Sequence, residues 1–210
     1  MARLVALPRA FYDRDSRVVA PELLNKVLVV GARRGRIVEV EAYAGAEDPA
    51  SHAYRGRTNR NATMFGPGGH LYVYFTYGMH WCANAVTGPA GLGQAVLLRA
   101  LAPLRGIEEM RLARPRARQD RDLTNGPAKL CQALAIGPSH DGNDLTCRHR
   151  DAPWIGDEGT APPALPGVSA RIGISVAVEE PWRWFVAADP HVSRLPRGER
   201  RSVGRSIVRS

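Results

Sequence analysis

The run Ile37-Val38-Glu39-Val40-Glu41-Ala42-Tyr43, inside the longer stretch Arg36 to Asn84, decides how this chain folds on paper. At the two-residue repeat of a β-strand, Val38, Val40 and Ala42 share one face, and Ile37, Glu39, Glu41 and Tyr43 share the other. The expectation is a half-buried strand carrying two carboxylates and a tyrosine on one side. A second segment, Leu71-Tyr72-Val73-Tyr74-Phe75-Thr76-Tyr77, ends at Gly78 and resumes as His80-Trp81-Cys82-Ala83-Asn84. These read as antiparallel strands joined by a tight turn around Tyr77-Gly78-Met79. Carboxylates, aromatics and a turn are thus close in sequence, which points to a lined pocket.

Outward from that stretch, Asp15-Ser16 caps a helix-like pattern within Phe11 to Asn25, interrupted by Pro21. Lys26 to Val30 is a β-branched run, and Gly31 to Gly35 is a loop that returns it into the key strand as a hairpin. Residues Gly45 to Gly69 are rich in breakers. A structureless loop of that length inside a compact domain is more often functional than idle. Gln94 to Leu101 is a further strand, with Arg99 on the face of Ala95, Leu97 and Leu101; a charge on an apolar face needs a partner. Ile107 to Arg114 reads as a helix, and Arg114 to Arg121 as a basic, solvated run. Thr124-Asn125-Gly126-Pro127 starts another helix, with Leu130, Ala133 and Leu134 as its buried stripe and Gly137-Pro138 as its stop. Ser139 to Gly167 reads as loop, and Arg171 to Ser175 and Trp182 to Val186 as late strands. Residues 1–192 are expected to form one domain, and 193–210 an arginine-rich tail, flexible or ordered only on DNA.

The 210 residues suit one domain with its own core. A net charge of +9 makes a polyanion the first expected partner. All but Lys26 and Lys129 of the 29 basic residues are arginine, a bias that suits phosphate and equally fits a biased genome composition. The odd, scattered Cys82, Cys131 and Cys147 indicate neither a disulfide framework nor a thiolate zinc site. Cys147 and His149 with Asp144 match no standard metal spacing, so no metal is expected. The N-terminal apolar run breaks too early for a signal peptide, and no stretch approaches a membrane span. A cytoplasmic protein without membrane contact is expected.

Glu-x-Glu-Ala-Tyr at Glu39 to Tyr43, Glu47-Asp48 and His52, Leu71-Tyr-Val-Tyr74, Tyr77-Gly-Met79, Asn84 and Leu97-Leu-Arg99-Ala-Leu occur in one order. With Leu123 to Cys131 and Arg171 to Ile174, they make the chain resemble the alkyladenine (3-methyladenine) DNA glycosylases over roughly residues 11–192. The resemblance implies a mixed α+β single domain on a curved antiparallel sheet, with a protruding hairpin entering the DNA minor groove and helices around it. It implies an enzyme of base excision repair that acts, without metal or cofactor, on double-stranded DNA bearing damaged purines, and a monomer is expected. Carried over residue by residue, Glu41 resembles the general base that activates water, and Arg99 the group holding that water and carboxylate. Tyr43, His52 and Tyr74 resemble the walls of the base pocket, and Asn84 the residue discouraging guanine. Tyr77 resembles the wedge that fills the vacated stack, flanked by Met79; Arg57 and Lys129 resemble DNA-backbone contacts. His80 departs from the pattern, since an aromatic is common there.

The chemistry asks for such residues. Extruding a base costs a few kcal/mol, and stacking returns about 1–3 kcal/mol per base. A cationic alkylated purine also gains from electron-rich rings. Water attacking C1′ needs a carboxylate in hydrogen-bond reach. Strand cleavage would need an amine for a Schiff base; only Lys26, Lys129 and the N-terminus offer one, Lys26 reads as a strand start and Lys129 as the first turn of a helix, so a monofunctional enzyme leaving an abasic site is expected. Spacing alone does not choose between Glu39 and Glu41 or exclude Glu47 and Asp48; only the resemblance selects Glu41. Tyr72, Tyr74 and Tyr77 could be cross-strand packing, a role that suits a hairpin-tip Tyr77 least. The rival functions are a non-catalytic protein binding DNA lesions or bent DNA and, more weakly, an RNA-binding or RNA-processing domain.

Overall fold

The computed structural model of the chain describes residues 3–76 and 78–193. Strand β1 (Val5–Ala6) and helices α1 (Arg9–Tyr12) and α2 (Ser16–Leu23) lead into β2 (Val27–Val30) and β3 (Arg33–Ala44). After a long loop come β4 (Leu71–Thr76), β5 (His80–Thr87) and β6 (Gln94–Arg105), then helices α3 (Ile107–Ala113) and α4 (Pro127–Leu134). Short strands β7 (Trp154–Asp157), β8 (Gly167–Ser169) and β9 (Arg183–Phe185) complete the described fold. The strands form one curled antiparallel sheet in the order β1-β7-β2-β3-β6-β5-β4, with β9 joining β3 to β8. The architecture is mixed α+β.

Local chemistry explains the helices. Asp15 caps α2, its carboxylate accepting from the Arg17 N–H at 2.8 Å. Pro127 opens α4 at its first position, where its missing N–H costs nothing. The helix closes with Ala135 in the left-handed conformation, two residues before the expected Gly137 stop. Val19, Ala20 and Leu23 of α2, Met110 of α3 and Leu130, Ala133 and Leu134 of α4 all pack on one face of the sheet. That face is made by Val40, Ala42, Val96, Leu98, Ala83 and Ala85. Each buried leucine or valine there contributes about 1.5–3 kcal/mol.

The expectation of a half-buried β3 is corrected: Glu39 and Glu41 are as fully buried as Val40 and Ala42. The loop after β3 and the chain after residue 167 close over the second face of the sheet, as shown by contacts of Asp48 with Arg171 and of Glu39 with Arg183 and Ser193. Strict alternation also fails at one place. Between β3 and β6 the register runs Ile37↔Leu101, Glu39↔Ala100, Val40↔Leu98, so Val38 on β3 and Arg99 on β6 are each an extra, unpaired residue. These bulges reverse the phase on either side. Ile37 therefore joins Val40 and Ala42 in the main core, and Leu101 joins Leu98 rather than the face of Arg99.

Three other expectations change. The presumed loop 139–167 contains β7, which pairs with both β1 and β2; its four residues are too short to show a pattern against the polar flanks. Residues 171–175 form bends rather than a strand, because Arg171 turns inward to an ion pair. The late strand is β9, within the expected 182–186. Ser193, first residue of the expected tail, is bound to Glu39; the rest of the tail, 194–210, lies outside the described residues, as does Tyr77.

Candidate active site

Four buried charges lie under the second face of the sheet. Glu39 accepts from Arg99 Nε at 2.8 Å and Arg183 Nε at 2.7 Å, and from the Ser193 N–H at 2.6 Å and hydroxyl at 2.7 Å. The Arg99 bulge lets the same guanidinium reach a second carboxylate, with Nη1 3.2 Å from Glu41 Oε1. Glu41 Oε1 also accepts from the Ile172 N–H at 2.7 Å, and Oε2 from the Tyr43 hydroxyl at 3.0 Å. Two arginines thus face two glutamates, and buried charges are tolerable only when matched in this way.

The two glutamates are held differently. Burial alone pushes Glu39 up, but Arg99, Arg183 and Ser193 together outweigh it and hold its carboxyl below the usual range. For Glu41 burial wins: Arg99, the Ile172 N–H and the Tyr43 hydroxyl only partly offset it, Glu39 adds repulsion, and the group sits above the usual range. Three partners occupy the roughly four acceptor positions of the Glu41 carboxylate, which leaves room on Oε2.

In front of this network lies a cavity of about 600 Å³. Tyr43, Arg99 and Ile172 line it and also touch Glu41, which itself stands one layer behind the wall. The aromatic walls are built by alternation: on β4, Leu71 and Val73 enter the main core while Tyr72 and Tyr74 turn to the cavity. Tyr72 and Tyr74 stack at 5.5 Å, and His52 meets Tyr74 edge-on at 4.5 Å. His52 Nδ1 lies 3.2 Å from the Tyr72 hydroxyl, and burial, then Arg60, keeps the ring's proton affinity low. Asn84 on β5 fixes its amide by donating to the Tyr72 carbonyl at 3.1 Å. Behind Tyr43, Arg171 stacks at 4.7 Å, pairs with fully buried Asp48 at 2.5 and 2.8 Å and donates to the Ala42 carbonyl at 3.0 Å. Gly45 (φ +68°) makes the sharp exit from β3 that brings Asp48 back; a Cβ there would lie 2.2 Å from the Leu92 carbonyl oxygen.

Of the residues singled out in the sequence, Tyr43, His52, Tyr74, Asn84 and Arg99 line one cavity, with Glu41 directly behind it. Met79 is 70% exposed at the hairpin turn, beside Gly78 in the left-handed conformation (φ +66°). Arg57 is exposed on the long loop, and Lys129 sits in the first turn of α4, its Nζ donating to Asn125 at 2.7 Å. Tyr77 is outside the described residues. Sequence reasoning missed Asp48 and Arg171 as a pair, and Arg183 and Ser193 as partners of Glu39. The detectable signal was Glu39 itself: an inward carboxylate two residues from another demands cations, and Arg183 within a Trp-Arg-Trp-Phe run was an available one.

A family model for methylpurine-DNA glycosylase matches residues 10–190. A Burkholderia lata protein named "Putative 3-methyladenine DNA glycosylase" is 61% identical over 188 residues, spanning 89% of this chain and 90% of that one. Proteins of the same name from Streptomyces avermitilis and Chlorobaculum tepidum are 47% and 46% identical over 193 residues, at about nine-tenths of each chain. With a match over residues 10–190, which takes in β3 and every residue lining the aromatic cavity, the chain belongs to the methylpurine-DNA glycosylase family.

Proposed function

We propose that the protein is a monofunctional 3-methyladenine-type DNA glycosylase, which flips alkylated or deaminated purines out of duplex DNA and hydrolyses their N-glycosidic bond. The observation that carries this reading is Glu41, a fully buried carboxylate with raised proton affinity and a spare acceptor position, set directly behind an aromatic cavity. In the proposed reaction Glu41 takes a proton from a water as its oxygen bonds to C1′. The C1′–N bond breaks, its electron pair leaves with the purine, and an abasic site remains. Arg99 orients Glu41 and the water, and the carboxylate stabilises the positive charge that develops on the sugar. Tyr43, His52 and Tyr74 hold the extruded base by stacking, and Asn84 opposes the 2-amino group of guanine. Tyr77 fills the gap in the duplex beside Met79, and Arg57 and Lys129 contact the backbone.

The lyase step of a bifunctional enzyme requires an uncharged amine near C1′. Lys26 is committed to Asp157 at 2.6 Å, and Lys129 is hydrogen-bonded to Asn125, which supports simple hydrolysis. The test is a panel of duplexes carrying 3-methyladenine, ethenoadenine or hypoxanthine, with Glu41→Gln as control. The expected result is base release by the wild type, binding without release by the variant, and no adduct trapped by borohydride. Full activity in Glu41→Gln would remove Glu41 from the chemistry. Binding without release of any lesion by the wild type would instead identify a lesion-binding protein.

A further inference from the structure

The wall of the aromatic cavity at Tyr43 is backed by a cation. The Arg171 guanidinium lies 4.7 Å from the Tyr43 ring centroid and 4.9 Å from the Trp182 ring, clamped between the two. Tyr43 lines the cavity and Arg171 does not, so the charge stands on the side of the ring away from the chamber. The Arg171 side chain has no solvent exposure, and neither has that of Asp48, the one carboxylate with which it pairs among the described residues. The remaining charges near the chamber are balanced elsewhere. Arg99 and Arg183 face Glu39 and Glu41, and burial, then Arg60, keeps His52 uncharged at neutral pH. Arg60 itself, 6.0 Å from the Tyr74 ring, is exposed, and solvent screens it. What cancels the charge behind Tyr43 is the Asp48 carboxylate.

We propose that Asp48 is a specificity-determining residue: by neutralising Arg171 behind Tyr43, it lets the chamber accept a purine that carries a formal positive charge. The inference rests on the glycosylase reading above and adds to it the group that decides between charged and neutral bases. A purine stacked on the cavity face of Tyr43 lies about 4.5 Å from the ring centroid. With the 4.7 Å on the other side, a cationic base is then about 9 Å from the guanidinium. At an effective dielectric constant of about 20, an unpaired cation at that distance weakens binding of a cationic base roughly twentyfold. A neutral base of the same shape is unaffected. That loss is of the size of the cation–π attraction itself, so an unmatched Arg171 would cancel what the rings offer a charged base. The Asp48 carboxylate, bonded to both ends of the fork at 2.5 and 2.8 Å, removes most of it.

The experiment uses the full chain and two duplexes that differ by one charge. One carries 7-methyladenine, a cation, on a 2′-fluoro sugar that protects its glycosidic bond; the other carries the uncharged 7-deaza-7-methyl isostere on the same sugar. The quantity read is the ratio of the two dissociation constants within each variant. Damage to the Tyr43 wall weakens both ligands alike and cancels in that ratio. Asp48→Asn should shift it roughly twentyfold against the cationic base. The double variant Asp48→Asn/Arg171→Gln removes both charges and should return the ratio to within about threefold of the wild type. Arg171→Gln alone, measured at pH 8, reads the pair from the other side and serves where Asp48→Asn fails to fold. Asp48, still held by the Ala44 and Ala50 N–H groups, is then the unmatched charge, and the ratio should move towards the cationic base; no movement, or movement against it, overturns the proposal. So does an Asp48→Asn ratio equal to that of the wild type, whatever the enzyme's activity. A wild type that prefers neither modified duplex to an unmodified one overturns the reading of the chamber as a purine site, and the proposal with it.

Discussion

Replacing Glu39 by Gln should unlock the site from behind. Its carboxylate accepts four hydrogen bonds, two from guanidinium groups and two from Ser193, in a place with no solvent access. An amide of the same size keeps one acceptor oxygen, but it turns an NH₂ group towards donors, leaves Arg183 without its carboxylate and leaves Arg99 with Glu41 alone. Breaking a buried ion pair costs about 3–5 kcal/mol, which for a chain of this length corresponds to a Tm lower by roughly 6–20 °C. The pH dependence isolates the charge. Because the folded-state pKa of Glu39 is depressed below its ordinary 4.5, its contribution is fully present above about pH 5 and is lost as pH falls through the folded value. The Tm gap between wild type and variant should therefore be full at pH 7 and narrow on acidification. Single-turnover base release, measured in parallel, should slow at least about tenfold as Arg99 loses its Nε anchor, the equivalent of about 1.4 kcal/mol. A Tm change under about 2 °C at pH 7, or a gap that does not vary with pH, would refute the idea that Glu39 acts through its charge.

With Glu41 as the proposed base, its raised proton affinity should place the acid limb of the pH–rate profile above the ordinary glutamate range, activity falling as pH drops through that value; Arg99→Lys should move the limb higher, and an unmoved limb would detach it from Glu41. Ser193→Ala removes one hydroxyl bond to Glu39 and keeps the backbone one, so a loss of about 1.5–3 kcal/mol is expected in denaturant unfolding. Asp48→Asn leaves Arg171 unpaired behind Tyr43; a cost of about 3–5 kcal/mol in the same measurement, with weaker lesion binding, is expected, and unchanged affinity would show that the Tyr43 wall stands without it.

The strands and helices with clear periodicity were legible in the sequence: the β2–β3 and β4–β5 hairpins, β6, α2 with its Asp15 cap and α4 with its Pro127 start. Alternation puts Tyr72 and Tyr74 on one face of β4 and Glu41 and Tyr43 on one face of β3, while His52 and Asn84 were singled out only through the family resemblance. What sequence could not supply depends on contacts far along the chain. β3 reads as half-buried because glutamate and tyrosine usually face water; it is buried because residues 167–193 return over it with two arginines and a serine. The bulges at Val38 and Arg99 are invisible to a strict period of two, and they alone explain why Ile37 and Leu101 point to the core. β7 escaped because a four-residue strand amid polar and proline-rich chain leaves too short a pattern to detect.

Two glutamates, two residues apart on one strand face and both without solvent exposure, diverge in proton affinity for a reason that can be counted. Glu39 has two guanidinium partners and both donors of Ser193; Glu41 shares one guanidinium, adds one amide and one phenol, and feels Glu39 as a like charge. Spacing could not choose between them, but their surroundings can. A carboxylate held by two guanidinium groups and by both donors of Ser193 has little tendency to take a proton. Its neighbour, with fewer cationic partners, takes one more readily, and it stands behind the cavity wall. The Arg99 bulge creates this asymmetry, because one guanidinium reaching both carboxylates ties the strongly held anion to the weakly held one. Glu39 is therefore suited to hold Arg99 in place, and Glu41, with the raised proton affinity, is the better matched of the two to the proposed proton transfer.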